Sequence, residues 1–258
     1  MSTSSLSRVL VTGSAGRLGS AAVCALRERG HFVRGLDQVP TPAASESWVG
    51  TLSDRGLLGP ATQGMSALIH LAAAPDDSAE PHFFERVLVP SNILGVYNIL
   101  EAARENGVPR IVLASSGQVN WTQQYNGPLP VRAGDPPTPR HWYAATKMFL
   151  ESAGYSLATN HRRAVIAVRL GWCPRQGQAP DIAKSATAQD LYLSPRDAGR
   201  FFERCVAADV PVGFHMLYAA SLPLRSSIFE LQPAMDLLQW QPEERWPSGA
   251  EEDLPPLR

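Results

Sequence analysis

Apolar residues in this chain gather in short unbroken runs, separated by longer stretches in which they recur every three or four positions. The first run, Val9-Leu10-Val11-Thr12, breaks into Gly13-Ser14-Ala15-Gly16-Arg17-Leu18-Gly19, so a strand, a glycine turn and a helix follow one another. That helix brings Leu18, Ala21, Ala22, Ala25 and Leu26 to one face and closes at Gly30. Residues 31–37 read as a second strand ending on Asp37, residues 67–71 and 110–114 as further buried strands, and residues 164–168 as a sixth. A helix is expected from about Ser91 to Asn106, punctuated by Pro90 and Gly107, with Ile93, Val96, Tyr97, Leu100 and Ala103 on a common face. Five prolines between Pro128 and Pro139 mark a surface excursion before a helix that starts near His141. Residues 174–190 are polar and read as irregular. A helix from Pro195 to about Ala208 and a last strand at 214–218 precede a tail with Pro242, Pro247, Pro255 and Pro256.

Short apolar strands alternating with amphipathic helices predict an α/β fold, a doubly wound parallel Rossmann sheet with strand order 3-2-1-4-5-6-7. Composition supports one large core: of 258 residues, 44% are hydrophobic, 18% are charged and six are Trp. Charge narrows the partners. With 23 Lys and Arg against 24 Asp and Glu, the formal charge is −1, which supplies no basic excess for phosphate backbones or anionic lipid, so neither nucleic acid nor membrane is expected. Cys24, Cys173 and Cys205 are widely spaced and suit neither a disulfide framework nor a zinc site, so no metal is expected. Together with the lack of an apolar leader or a run of about 18 apolar residues, they point to a cytoplasmic protein.

Two constellations carry candidate chemistry. Gly13, Gly16 and Gly19 form G-x-x-G-x-x-G between a strand and a helix, where the backbone must turn tightly and approach a pyrophosphate while the helix N-terminus offers free N–H groups. Asp37, at the end of the second strand, is placed to bind adenosine ribose hydroxyls and repel a 2′-phosphate, which favours NAD over NADP, although Arg17 and Arg34 stand near enough in sequence to reach a phosphate. The second constellation is Tyr143-x-x-x-Lys147, an i,i+4 pair on one helix face. An adjacent ammonium stabilises a phenolate, so such a pair can trade a proton with a hydroxyl or carbonyl. By itself this spacing also describes an ordinary solvated helix face.

These motifs, with His70-Leu71-Ala72-Ala73, Asn92 and Gly95, Ala114-Ser115-Ser116 and Val168-Arg169-Leu170-Gly171, resemble the extended short-chain dehydrogenases/reductases, also called NAD-dependent epimerases/dehydratases, over roughly residues 8–220. Within that family the run from His70 through Cys173 is most similar to uronate dehydrogenases, which oxidise a sugar acid with NAD. The resemblance implies that Ser116 hydrogen-bonds the reacting oxygen, with Ser115 as the alternative hydroxyl, that Tyr143 is the general base, and that Lys147 holds the nicotinamide ribose and tunes the tyrosine. It places Gly13, Gly16, Arg17, Leu18, Gly19 and Asp37 on the cofactor, Thr51 and Leu52 against the adenine, Leu71, Ala72 and Ala73 beneath the cofactor, and Asn92 behind the active site. Asn92 as a first-turn helix residue and His70 as a packed core residue are the plainer readings.

The departures matter as much. The Asp-Glu pair of the dehydratases is replaced by Gly117-Gln118, which disfavours dehydration, and the Val-Tyr-Gly of the epimerases by Val119-Asn120-Trp121. Where uronate dehydrogenases carry Asn-His and a carboxylate-binding arginine, this chain has Gly117, Gln118 and Trp172 beside the substrate, with Arg175 and Lys184 as the cations of the following loop. The expected function is therefore NAD-dependent hydride transfer to or from a small polar alcohol or carbonyl, a sugar or uronate, by a Ser-Tyr-Lys mechanism. A nucleotide-sugar 4-epimerase with tightly held NAD and a catalytically silent NAD-binding regulator are the alternatives. Residues 1–171, completed by 194–219, are expected to form the NAD-binding domain, and 172–193 with 220–258 a small substrate cap. A homodimer packing Asn92–Arg104 and Tyr143–Leu157 is expected.

Overall fold

The computed structural model describes residues 6–75, 80–175 and 177–250. Seven parallel strands lie in the order β3-β2-β1-β4-β5-β6-β7: β1 (Arg8–Thr12), β2 (Phe32–Asp37), β3 (Glu46–Val49), β4 (Ala67–His70), β5 (Arg110–Ser116), β6 (Ala164–Leu170) and β7 (Gly213–Ala219). Along each central strand successive side chains feed opposite cores. Val9 and Val11 of β1, Ile69 of β4 and Ile166 of β6 point to one face, while Leu10, Leu68 and Val165 point to the other. The first face is covered by α1 (Arg17–Glu28) and α8 (Pro195–Ala207), the second by α2 (Arg55–Thr62), α3 (Gly95–Glu105) and α5 (Trp142–His161). α1 and α8 pack closely because Gly199 has no side chain. A Cβ there would stand 2.6 Å from the Ala21 carbonyl oxygen.

Several expectations need correction. The helix expected from Ser91 begins earlier, as a wide i→i+5 helix over Phe84–Leu94 that runs directly into α3, with Pro90 inside it rather than ahead of it. The Pro90 carbonyl still accepts from the Gly95 N–H, and the wider turn accommodates a residue that has no N–H to donate. Tyr97, expected on the buried face, is 48% exposed, and Ile99 is buried instead. Residues 174–190 are not irregular: α6 (Ala179–Ala183) and α7 (Ala186–Asp190) bury Ile182 and Ala188 in a small cluster with Tyr192 and Ala250. The excursion at 128–139 is clipped down at Val131, which is fully buried and bridges to Phe229. A short helix α4 (Trp121–Asn126) follows β5, and α9 (Gln232–Leu238) lays Ala234 and Leu238 on the main core. The tail prolines Pro255 and Pro256 lie outside the described residues.

Candidate active site

Parallel strands end together, so the loops after β1, β2, β4, β5 and β6 converge on one edge of the sheet. Two cavities open there. The first, about 500 Å³, runs from Gly13 and Gly16 past Asp37, Thr51 and Leu52 to Leu71, Ala72 and Ala73. Its floor exists because glycine is where it is. Gly13 has φ +69°, and a Cβ on it would meet the Ala72 nitrogen at 2.6 Å; one on Gly19 would sit 1.9 Å from the Gly13 carbonyl oxygen. The N-cap of α1 is Gly16, with no side chain satisfying the first-turn N–H groups, so they remain open to an anion. Asp37 is held at the end of β2, accepting from the N–H groups of Ala15 (3.0 Å) and Gln38 (2.7 Å). A glycine cradle, an uncapped helix start and a fixed carboxylate in one elongated cavity fit a dinucleotide whose adenosine ribose sits at Asp37.

The cations that left a 2′-phosphate possible are engaged elsewhere. Arg34, 8% exposed, donates to Glu46 (2.7 Å) and to the Pro60 and Ala61 carbonyls, and Arg17 donates to the Cys173 Sγ (3.3 Å) and the Gly249 carbonyl (3.3 Å). Arg17, Leu18 and Gly19, expected on the cofactor, and Asn92, expected behind the active site, do not line this cavity. Leu18 faces the second cavity instead, and Gly19 serves the close approach of α1 to the glycine turn. Asn92 is 2% exposed; its amide accepts from the Ala74 N–H (2.8 Å) and donates to the Ala74 carbonyl (3.0 Å) and Thr146 Oγ1 (3.2 Å), pinning the Leu71–Ala74 turn to α5.

The second cavity, about 330 Å³, brings together Ser116, Gly117, Gln118, Tyr143 and Trp172, all expected at the substrate. Lys147 lies buried below Tyr143, its ammonium 5.4 Å from the tyrosine ring centroid and donating to the Ala114 carbonyl at 2.8 Å. Burial pulls its pKa down to about 8, against the opposing pull of Glu151. Of the two serines, Ser115 donates to Glu151 (2.5 Å), which is clamped by the buried Arg169 at 2.8 and 2.9 Å, so its hydroxyl is committed to this network. Ser116 is half-buried, and its Oγ accepts from the Gln118 N–H at 3.2 Å. Arg175 lines the cavity, whereas Lys184 pairs with Asp181 (3.5 Å) on the surface and does not.

Sequence reasoning missed Trp121, Gln124, Tyr125, Gln178, Leu191 and Phe229, which also line the second cavity. Trp121 and Tyr125 are an aromatic i,i+4 pair soon after Ser116, a signal that was present; Phe229 arrives from more than a hundred residues away with none. His70 is a packed core residue, as the plainer reading had it. Its Nδ1 pairs with Thr12 Oγ1 at 2.8 Å, and burial, reinforced by Lys147, lowers its pKa to about 3. Among the described residues no group of His, Cys, Asp or Glu could hold a metal ion, and no helix is long and apolar enough to cross a membrane.

Comparison with known proteins agrees with this geometry. Residues 9–172 match the NAD dependent epimerase/dehydratase family. The chain is 30% identical over 237 residues to an L-arabinose 1-dehydrogenase (NAD(P)(+)) of Haloferax volcanii, covering 80% of this chain and 85% of that one. It is 28% identical over 218 residues to a uronate dehydrogenase of Pseudomonas syringae, covering 83% and 74%. A solved structure of a mutated uronate dehydrogenase superposes with a TM-score of 0.75 at 26% identity, covering 98% of this chain and 88% of that one. A glycine cradle ending at a fixed carboxylate, a Ser-Tyr-Lys set beside it and a family match through both place this chain in the NAD-dependent epimerase/dehydratase family.

Proposed function

We propose that this NAD-dependent dehydrogenase oxidises a small ring-bearing polar alcohol, a sugar or uronate, at the cavity that holds Ser116 and Tyr143. The observation that carries the reading is the convergence of Ser116 and Tyr143 on one cavity with the buried Lys147 beneath, next to a glycine-floored cavity that fits a dinucleotide. The relatives that are an L-arabinose 1-dehydrogenase and a uronate dehydrogenase support the substrate class. Ser116 Oγ hydrogen-bonds the reacting oxygen, and the Tyr143 phenolate accepts the hydroxyl proton as the carbon is oxidised. Lys147, whose charge lies near the tyrosine ring, stabilises that phenolate and binds the nicotinamide ribose. NAD, when bound, supplies the hydride acceptor. In the reverse direction Tyr143 returns the proton to a carbonyl oxygen. The relatives that are an L-arabinose 1-dehydrogenase and a uronate dehydrogenase favour a free substrate over the nucleotide-sugar 4-epimerase reading.

By this reading the described parts of residues 1–171 and 194–219 form the cofactor domain and those of residues 172–193 and 220–258 the cap, with α9 and Trp240 of the second stretch resting on the main core and tying cap to sheet. Exposed Leu94, Tyr97 and Tyr155 on the wide helix, α3 and α5 support a homodimer through those helices, and the cytoplasm is the proposed location. The test is a screen for NAD reduction over aldoses, uronates and simple secondary alcohols with purified protein. Turnover that needs no added NAD, with NAD retained through purification, would point to the epimerase instead.

A further inference from the structure

On α5, Tyr143, Lys147 and Glu151 recur every fourth residue and so form one stripe along the helix. The stripe is fastened to the end of β5. The Lys147 ammonium donates to the Ala114 carbonyl at 2.8 Å and Ser115 Oγ donates to the Glu151 carboxylate at 2.5 Å, so two consecutive strand residues are bonded to side chains one helical turn apart. The next strand residue is Ser116, and the turn before Lys147 carries Tyr143; both line the substrate cavity. The two ties have different duties. Lys147 also serves the cofactor and the phenolate by the reading above, whereas the Ser115–Glu151 bond lies buried behind them and takes no part in the chemistry. Its acceptor is anchored a second time, because Arg169, the register partner of Ser115 on β6, holds the same carboxylate through Nε at 2.8 Å and Nη2 at 2.9 Å. Arg169 is fixed in turn by donating through Nη1 to Asn120 Oδ1 at 2.6 Å. Glu151 is therefore a rigid post, and Ser115 is the point where the end of β5 is tied to it.

We propose that Ser115 is a positioning residue: its hydrogen bond to Glu151 sets α5 in register with the end of β5 and so brings the Tyr143 hydroxyl to the same substrate oxygen as Ser116 Oγ. The proposal rests on the dehydrogenase reading above. Two groups that must meet one oxygen, carried on different elements, act together only while those elements keep their spacing, and an error of about 1 Å can cost about 10²-fold in rate. Losing the bond leaves the fold its other supports, because in Ser115→Ala the carboxylate keeps both bonds from Arg169 and remains a paired charge.

The experiment compares wild type, Ser115→Ala and Ser115→Thr, with D-galactose and D-galacturonate as probes, each also deuterated at the carbon that is oxidised. It reads kcat and KM for NAD reduction per NAD-binding site, the isotope effect on kcat, urea midpoints, and crystal structures of the NAD-loaded wild type and alanine variant. Ser115→Ala is expected to lower kcat about tenfold to 10²-fold, with an isotope effect at least as large as that of wild type. KM for the probe and for NAD should stay within about twofold, as when an interaction made only in the transition state is lost. Ser115→Thr, which keeps the hydroxyl, is expected to regain most of the rate. In the structures, the separation of Tyr143 Oη from Ser116 Oγ should change in Ser115→Ala while the cofactor stays in place. If that variant does not fold, Ser115→Cys, which keeps the volume and donates only weakly, carries the same prediction. The proposal is overturned if Ser115→Ala loses stability yet keeps its kcat, as a merely structural contact would, or if KM moves in place of kcat. It is overturned equally if Ser115→Thr is no better than Ser115→Ala, or if the two oxygens keep their separation. A displaced Tyr143 in a protein whose wild type oxidises neither probe leaves the positioning role standing and counts against the dehydrogenase reading. An active wild type with an unaffected Ser115→Ala does the reverse.

Discussion

The cofactor cavity, which Gly16 lines, and the substrate cavity, which Leu18 lines, meet at the start of α1, and they are made of different material. The first is walled largely by backbone and small residues at the ends of neighbouring strands: Gly13, Gly16, Gly50 and the Leu71–Ala74 turn. The second is walled by large side chains from segments far apart in the chain: Trp121 on α4, Tyr143 on α5, Trp172 after β6, and Phe229 beyond β7. Backbone walls recognise what every dinucleotide has in common, a pyrophosphate and ribose hydroxyls. Side-chain walls recognise shape and polarity particular to one substrate, and each of their residues can change without moving a strand.

That contrast can be broken at several points. Tyr143→Phe is expected to cut NAD reduction by about 10²- to 10⁴-fold, the range for a lost general base. NAD affinity should stay within about twofold, since Tyr143 does not line the cofactor cavity. Steady-state kinetics beside a fluorescence titration checks both, and an unaffected rate would place the base elsewhere. Next in size is the buried pair behind the site. Removing Glu151 alone, as Glu151→Leu, strands the Arg169 guanidinium and should cost about 3–5 kcal/mol in urea unfolding, with part of the loss regained in Glu151→Leu/Arg169→Leu. On the cofactor side, Asp37→Ser is expected to raise the KM for NAD about tenfold and to narrow the preference over NADP, without altering which alcohols are oxidised. A changed substrate order would mean that the two cavities are not separate. The smallest effect concerns His70. Its folded pKa of about 3 lies below the ordinary 6.5, so between these values the unfolded chain binds a proton that the folded chain does not. Stability therefore falls as pH drops from 6.5 towards 3, and His70→Asn should flatten that acid slope by up to about one proton, read from urea midpoints across the range.

The same contrast explains what the sequence made legible. Strands β1, β4, β5 and β6 announce themselves because both their faces are buried and most of their residues are apolar, and β2 and β7 still carry short apolar runs around Arg34 and His215. β3, Glu-Ser-Trp-Val at the sheet edge, is half solvent-facing and carries no such run. Pro90 read as a helix boundary because a standard α-turn rejects it, and only the wider turn at Phe84–Leu94 lets the helix pass through. Gly13, Asp37 and the Tyr143–Lys147 pair could be found because their chemistry is fixed by local spacing on one loop or one helix face. Phe229 could not. Its place beside Ser116 depends on the Val131 bridge and on the absence of a side chain at Gly117, contacts that span about a hundred residues.

Asp197, at the start of α8, accepts from Ser221 Oγ (2.6 Å) and from the N–H groups of Glu243 (3.0 Å) and Glu244 (3.1 Å), so it fastens both ends of the stretch that carries Phe229. A loop tied at its two feet to a helix of the sheet's own core behaves as an interchangeable cassette. A stretch exchanged between Ser221 and Glu243 keeps these attachment points and replaces the substrate wall, provided it also supplies the apolar residues that Ala234, Leu238 and Trp240 bury in the main core. Grafting the corresponding stretch from a relative, with Asp197 and Ser221 retained, is thus a route to new substrates that leaves the dinucleotide side of the molecule as it is.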